Sequence, residues 1–142
     1  DAIIAAREIK PIETTTELKE AVARFLPKGS ENKVLAQIFQ SLRIEVNEEM
    51  KVLEIFLSQC ADVLKPGGRL VVMSYHSLED RLVKNFMKTG NADGNLEKDF
   101  FGNQLTPYKL MSSKPIVPSD DEIQINSRAR SAKLRVAERR ER

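Results

Sequence analysis

Apolar positions change their spacing several times along this chain, and each change marks an element. From Glu31 to Leu64 there is neither Pro nor Gly, and apolar residues recur from Leu35 through Leu42, Met50 and Leu57 to Leu64 in steps near three and four. The spacing predicts an amphipathic helix of roughly 34 residues, about 50 Å long at the α-helical rise. Its first half would pack in an all-helical piece and its second half against a sheet; a kink at Val46-Asn47-Glu48 is the alternative. Pro66-Gly67-Gly68 then stops the helix and turns the chain. Leu70-Val71-Val72-Met73 shows no polar alternation, which predicts a strand buried on both faces of a mostly parallel sheet. Polarity returns at Tyr75-His76-Ser77, the carboxyl end of that strand, where open α/β sheets place their ligands. Ser77, with Asp80 three residues on, reads as the N-cap of a helix reaching about Met87.

The flanking segments are shorter. Asp1 to Lys10 has a helical pattern stopped by Pro11. Thr14 and Glu17 form a capping box ahead of Leu18, Val22 and Phe25, and Pro27 to Ser30 breaks the chain again. Lys88 to Asn95 is loop by composition, and Leu96 to Thr106 reads as loop anchored by Phe100-Phe101. A strand is expected over Tyr108 to Lys114. Ser119 to Glu122 reads as a second capping box, opening a short helix that ends near Asn126. Ala132, Leu134 and Val136 alternate with Lys133 and Arg135, predicting a strand with a basic outer side. The two late strands should pair antiparallel at the sheet edge, which makes the whole an α/β fold.

Composition narrows this picture. A length of 142 residues accommodates one domain with a core. The opening Asp1, already inside a helical pattern, suggests that an upstream part has been removed. Net charge is +2 but uneven: the stretch from Asn126 onward carries roughly +5 and the remainder roughly −3. A basic tail suits a phosphate backbone, and an ordinary solvated strand face suits it equally well. One cysteine, Cys60, and one histidine, His76, cannot build a disulfide framework or a zinc cluster. No apolar run approaches the roughly 18 residues of a membrane span and no signal-peptide pattern is present. The expectation is a soluble cytoplasmic protein.

Leu64-Lys65-Pro66-Gly67-Gly68 feeding a strand resembles the second half of a class I (Rossmann-like) methyltransferase fold. Three longer phrases narrow the resemblance: Phe39-Gln-Ser-Leu-Arg-Ile-Glu-Val-Asn47-Glu-Glu, Ser74-Tyr-His-Ser-Leu-Glu-Asp-Arg81 and Asn126-Ser-Arg-Ala-Arg-Ser-Ala-Lys-Leu-Arg135. In this order they resemble the MraW/RsmH family, bacterial 16S ribosomal RNA cytidine N4-methyltransferases that use S-adenosyl-L-methionine. The resemblance implies methyl transfer to the exocyclic N4 of a cytidine, with ribosomal RNA or the small subunit as partner. It also implies that residues 1–40 end an inserted helical domain, that residues 41–142 form the C-terminal half of the methyltransferase domain, and that the cofactor's glycine-rich loop and ribose-holding acid lie upstream. Tyr75 replaces the family's Phe, Ser127 its Pro, and Glu31-Asn-Lys-Val34 a His-Pro-Ala-Thr phrase from which nothing can be carried over. A non-catalytic RNA-binding module is the alternative function. A half-sheet standing alone would also expose a surface for homodimerisation.

Methylating an amine conjugated into a pyrimidine ring requires that the nitrogen be oriented and a proton accepted. His76, at a strand's carboxyl end, is the candidate acceptor; the plainer reading is that it orders the strand-to-helix turn. A Ser-His hydrolase is excluded, because Ser77 lacks a G-x-S-x-G elbow and neighbouring strand residues point to opposite faces. Glu79, Asp80 and Arg81 read as first-turn helix residues. Arg128, Arg130 and Lys133 are the candidate phosphate ligands, with Asn126 as a cap or base contact. Arg43 and Asn47, four residues apart, share one side of the long helix and read as bracing residues.

Overall fold

The computed structural model describes residues 1–141 and divides into two compact units, Asp1–Asn47 and Glu48 onward. The division falls beyond position 40 and coincides with the end of a helix. In the first unit α1 spans Ala2–Ile9, α2 spans Thr15–Val22 with a 3-10 turn over Ala23–Phe25, and α3 spans Glu31–Val46. The Thr14 capping box forms as expected: Thr14 Oγ1 accepts from the Glu17 amide at 3.2 Å, and Glu17 Oε2 accepts from the Thr14 amide at 3.0 Å.

The expected continuous helix is two helices, interrupted at Asn47-Glu48, where the alternative reading put a kink. α3 closes at Asn47, whose amide donates to Arg43 O, and Glu48 adopts the left-handed conformation (φ 50°, ψ 34°) before α4 begins at Glu49 and runs to Val63. One left-handed residue is enough to interrupt the i to i−4 ladder. Apolar periodicity persists across such a break, so spacing alone does not register it.

In the second unit α4 ends at a turn in which the Gly68 amide donates to Lys65 O at 2.9 Å and Gly67 takes φ 77°. Pro66 and Gly67 occupy the two central positions, the pairing a type II turn favours. A Cβ at residue 68 would stand 2.8 Å from Lys65 O, so glycine is required there too. β1 (Arg69–Ser74) follows, then α5 (Ser77–Thr89), β2 (Tyr108–Leu110), α6 (Asp120–Ile125), a 3-10 turn (Ser127–Ser131) and β3 (Lys133–Arg139). The sheet order is β1-β3-β2, with β3 antiparallel to both neighbours, Leu70 opposite Ala137 and Leu110 opposite the same residue. β1 and β2 therefore run parallel to each other, joined by α5, with β3 inserted between them. The late strands pair as expected, but every pairing among the described residues is antiparallel.

α4 and α5 cover one face of this sheet. Leu57, Cys60, Val83, Phe86 and Met87 pack there on Leu70, Tyr108 and Ala137. The other face is open: Val71 and Met73 are each about half exposed, so β1 is not buried on both sides within this chain. The apolar run of β1 has lining for one face only. Phe100 and Phe101 likewise correct an expectation. They stack edge to face at 5.7 Å and are almost wholly exposed, so they anchor nothing within the chain.

β3 carries the largest departure. Arg135, expected on a basic outer side, is 93% buried against α5, while Leu134 and Val136 take the half-buried opposite face. Arg135 Nε donates to Asp80 Oδ1 at 2.7 Å and Nη2 to Asp80 Oδ2 at 3.2 Å, and Lys133 Nζ reaches Asp80 Oδ2 at 3.2 Å. Asp80 is thus a buried acceptor for two cations, not merely a first-turn acid. Burial pushes its carboxyl pKa up, but the hydrogen bonds and charges of Arg135 and Lys133 outweigh this and hold it below the ordinary value. Breaking a buried pair leaves an uncompensated charge, so Asp80→Ala should lower unfolding free energy by about 3 kcal/mol. A folded-state pKa below the unfolded one gives stability that is present above pH ~4 and lost as pH falls through the folded value. Urea unfolding from pH 7 to pH 3 should show an acid-side decline that is shallower in Asp80→Asn.

Candidate functional site

At the carboxyl end of β1 the chain makes an open groove of about 800 Å³. Its floor is the uncovered sheet face, Met73 of β1 and Leu134 of β3. One wall is the strap Ile116-Val117-Pro118, tied to β3 by a reciprocal pair of 2.8 Å hydrogen bonds between the backbones of Ile116 and Leu134. The rim carries the polar groups Tyr75, Glu122, Asn126 and Arg128. The volume lies within the range of about 300–1,000 Å³ typical of ligand sites, and an apolar floor with a few convergent polar groups is their usual composition.

Each rim residue is placed by local chemistry. α6 is capped by Ser119, whose Oγ accepts from the Glu122 amide at 3.2 Å. The reciprocal half of the expected capping box does not form: among the described residues the Glu122 carboxylate makes no hydrogen bond or ion pair. Asn126 ends α6 and opens the next turn, its Oδ1 accepting from the Arg128 amide at 3.2 Å. Arg128 then lies at the groove with its guanidinium exposed. Of the residues expected to meet RNA, Asn126 and Arg128 come together here. Arg130 is exposed but does not line the groove, and Lys133 is drawn to Asp80.

His76 is held differently. It is the N-cap of α5, where Ser77 was expected: its Nδ1 accepts from the Glu79 amide at 3.3 Å, and Glu79 Oε2 accepts from the amides of Tyr75 and His76 at 2.9 and 3.3 Å. Imidazole nitrogen substitutes for the oxygen that caps most helices. Capping through Nδ1 puts the proton of the neutral ring on Nε2, which stands 3.3 Å from Glu79 Oε1 without hydrogen-bond geometry. Glu49, His76 and Glu79 offer ligand atoms within 4.8 Å of one another. Metal binding through Nε2 would move that proton to Nδ1 and break the cap, so the cluster reads as a cap rather than a metal centre. His76 does not line the groove; its neighbour Tyr75 does.

Gly67 and Gly68 lie in the turn before β1, at the opposite end of the strand from the groove, and Gly90, Gly94 and Gly102 follow α5. None forms a glycine-rich turn after a strand, the arrangement that cradles a nucleotide-like cofactor in an open α/β sheet. Sequence reasoning placed Tyr75 at the ligand-bearing end of β1, missed the strap as a groove wall and assigned Glu122 only to its cap. The usable signal for the strap was its position between β2 and the cap of α6.

A crossover helix on one face and a groove past the carboxyl end of β1 make the second unit an α/β unit with an open groove at the sheet edge where such folds place ligands. Comparison with known proteins makes this specific: the chain matches the MraW methylase family over residues 1–140, and it belongs to that family. Similar proteins include the ribosomal RNA small subunit methyltransferase H of Flavobacterium psychrophilum, 60% identical over 139 residues, covering 98% of this chain and 47% of the relative. Those of Flavobacterium johnsoniae and Amoebophilus asiaticus are 58% and 59% identical, covering 96% and 97% of this chain and 45% and 44% of the relatives. The chain thus spans less than half the length of these curated relatives.

Replacing His76 by Ala should cost about 1 kcal/mol through loss of the cap, whereas His76→Asn, a good N-cap, should restore most of it. Denaturant melts of both variants check this.

Proposed function

We propose that this chain is the RNA-facing half of an S-adenosyl-L-methionine-dependent methyltransferase that acts in the cytoplasm on the exocyclic N4 of a cytidine in small-subunit ribosomal RNA. The observation that carries the reading is the groove at the end of β1, rimmed by Asn126 and Arg128, in a chain that belongs to a methylase family. The names of the relatives, ribosomal RNA small subunit methyltransferases, support ribosomal RNA as the substrate. The guanidinium of Arg128 suits a phosphate oxygen beside the groove, and Arg130, exposed on the same turn, extends the basic edge. The cofactor would supply the methyl group from the part of the protein outside this chain. This chain would orient the accepting base.

For His76 we propose a positioning role. Its cap fixes the turn through which Tyr75 enters the groove, and the proton-acceptor role suggested by sequence is the competing assignment. β1, α5 and β2 with β3 between them support reading the second unit as the C-terminal half of a class I methyltransferase sheet. The free edge of β1 and its open face would receive the remaining strands and helices of that fold.

In the full-length protein, Arg128→Ala should weaken binding to small-subunit ribosomal RNA about equally for all sequences and reduce its salt dependence. His76→Asn should retain methyl transfer where His76→Ala slows it; loss of transfer in both, with RNA binding intact, would favour proton acceptance. RNA binding without any methyl transfer by the unaltered protein would instead indicate a binding module. The isolated chain should bind S-adenosyl-L-methionine too weakly for calorimetry at micromolar concentration. It should self-associate in light scattering through the open face of β1, and Met73→Lys should return it to monomer.

A further inference from the structure

Two polar groups on the groove rim have their hydrogen-bonding sense already decided. Glu122 and Asn126 are four residues apart, one turn along α6 into its cap, and therefore face the same side. The Glu122 carboxylate is left out of the capping box, and an ionised carboxylate can accept hydrogen bonds but not donate them. Asn126 has its Oδ1 committed to the Arg128 amide, so what its side chain still offers is the donor amide nitrogen. The groove thus presents one acceptor and one donor side by side above an apolar floor, with the Tyr75 ring on the rim.

We propose that Glu122 and Asn126 are the residues that select cytosine over uracil in this groove; the inference rests on the RNA-facing reading above. Cytosine carries a donor amine at C4 beside acceptors at N3 and O2. A carboxylate accepting from that amine and an amide nitrogen donating to N3 match this edge, whereas O2 accepts in both pyrimidines and distinguishes nothing. Uracil reverses the edge, placing a carbonyl oxygen against the carboxylate and an N–H against the amide hydrogens. Acidic side chains accepting from the cytosine amine are a general solution to reading this base. Tyr75 offers a face on which the pyrimidine stacks, and base stacking on an aromatic ring does not depend on which base it is. Arg128 holds the neighbouring phosphate and is likewise indifferent to the base. Selection therefore falls to Glu122 and Asn126, while affinity is shared among all four.

The test uses the full-length protein and two probes, oligocytidylate and oligouridylate of equal length, with affinities measured at one salt concentration. The unaltered protein should prefer oligocytidylate. Glu122→Gln, whose carboxamide can present either end, should reduce that preference roughly ten-fold, within the range one good base contact supplies. Asn126→Asp keeps an oxygen to accept from the Arg128 amide but replaces the donor, and should reduce the preference similarly. It serves as the second variant if Glu122→Gln disturbs α6, and circular dichroism melts establish which variants fold. Arg128→Ala should weaken both probes equally. A folded variant at either position with the original preference, or an unaltered protein that binds both probes without preference, overturns the assignment while leaving the RNA-facing reading in place. An unaltered protein that binds neither probe nor small-subunit ribosomal RNA overturns both.

Discussion

The Asp80–Arg135 pair is the constraint on which the second unit depends. It joins the first turn of α5 to the central strand of the sheet, and it lies between the helical layer and β3, where neither partner reaches bulk water. A carboxylate and a guanidinium in such a place must satisfy one another, because the desolvation of either alone is several kcal/mol. The pair therefore sets which face of β3 looks toward α5. With Arg135 turned inward, Leu134 and Val136 must turn to the other face, and the open sheet surface beneath the groove follows directly from that alternation. Lys133 joins the pair from the end of β3 and ties the 3-10 turn carrying Arg128 to the same anchor.

The groove is built from segments far apart in the chain: the end of β1, the strap before α6, α6 itself and the turn into β3. Each is held by a separate local device. The His76 cap ends β1, the Ile116 to Leu134 bridge fixes the strap, Ser119 starts α6 and Asn126 closes it. These side-chain caps and the bridge fix the backbone from which the rim residues project.

Family membership and the open sheet face belong together. A chain that spans less than half of its relatives' length carries a sheet in which β1 is an edge and in which Val71 and Met73 meet solvent. Apolar residues in an uninterrupted run are costly to leave half exposed, and in a larger sheet the same run would be lined on both sides. The position of the groove, at the carboxyl end of that strand, is where a doubly wound sheet would bring a ligand-bearing loop from the remaining strands.

Much of the local structure was legible in the sequence because it is governed by interactions a few residues apart. The Thr14 to Glu17 box, the Pro66-Gly67-Gly68 turn, α6 behind Ser119 and the antiparallel pairing of the late strands all follow from spacing and turn chemistry. The three phrases that pointed to the family are likewise linear information; two of them, Ser74 to Arg81 and Asn126 to Arg135, lie in the second unit, where Tyr75, Asn126 and Arg128 line the groove. What the sequence could not decide was where long-range partners would take a side chain. His76 displaced Ser77 as the cap because Glu79 closes back on it, and the long helix broke because a single backbone residue changed sign at Glu48. Arg135 left the basic face for Asp80, a partner on another element; Lys133 was diverted with it, and Arg130 was left off the groove. Periodicity records which residues share a face, but the choice between water and a buried counter-charge is made by tertiary contact, because only there do the two charges meet.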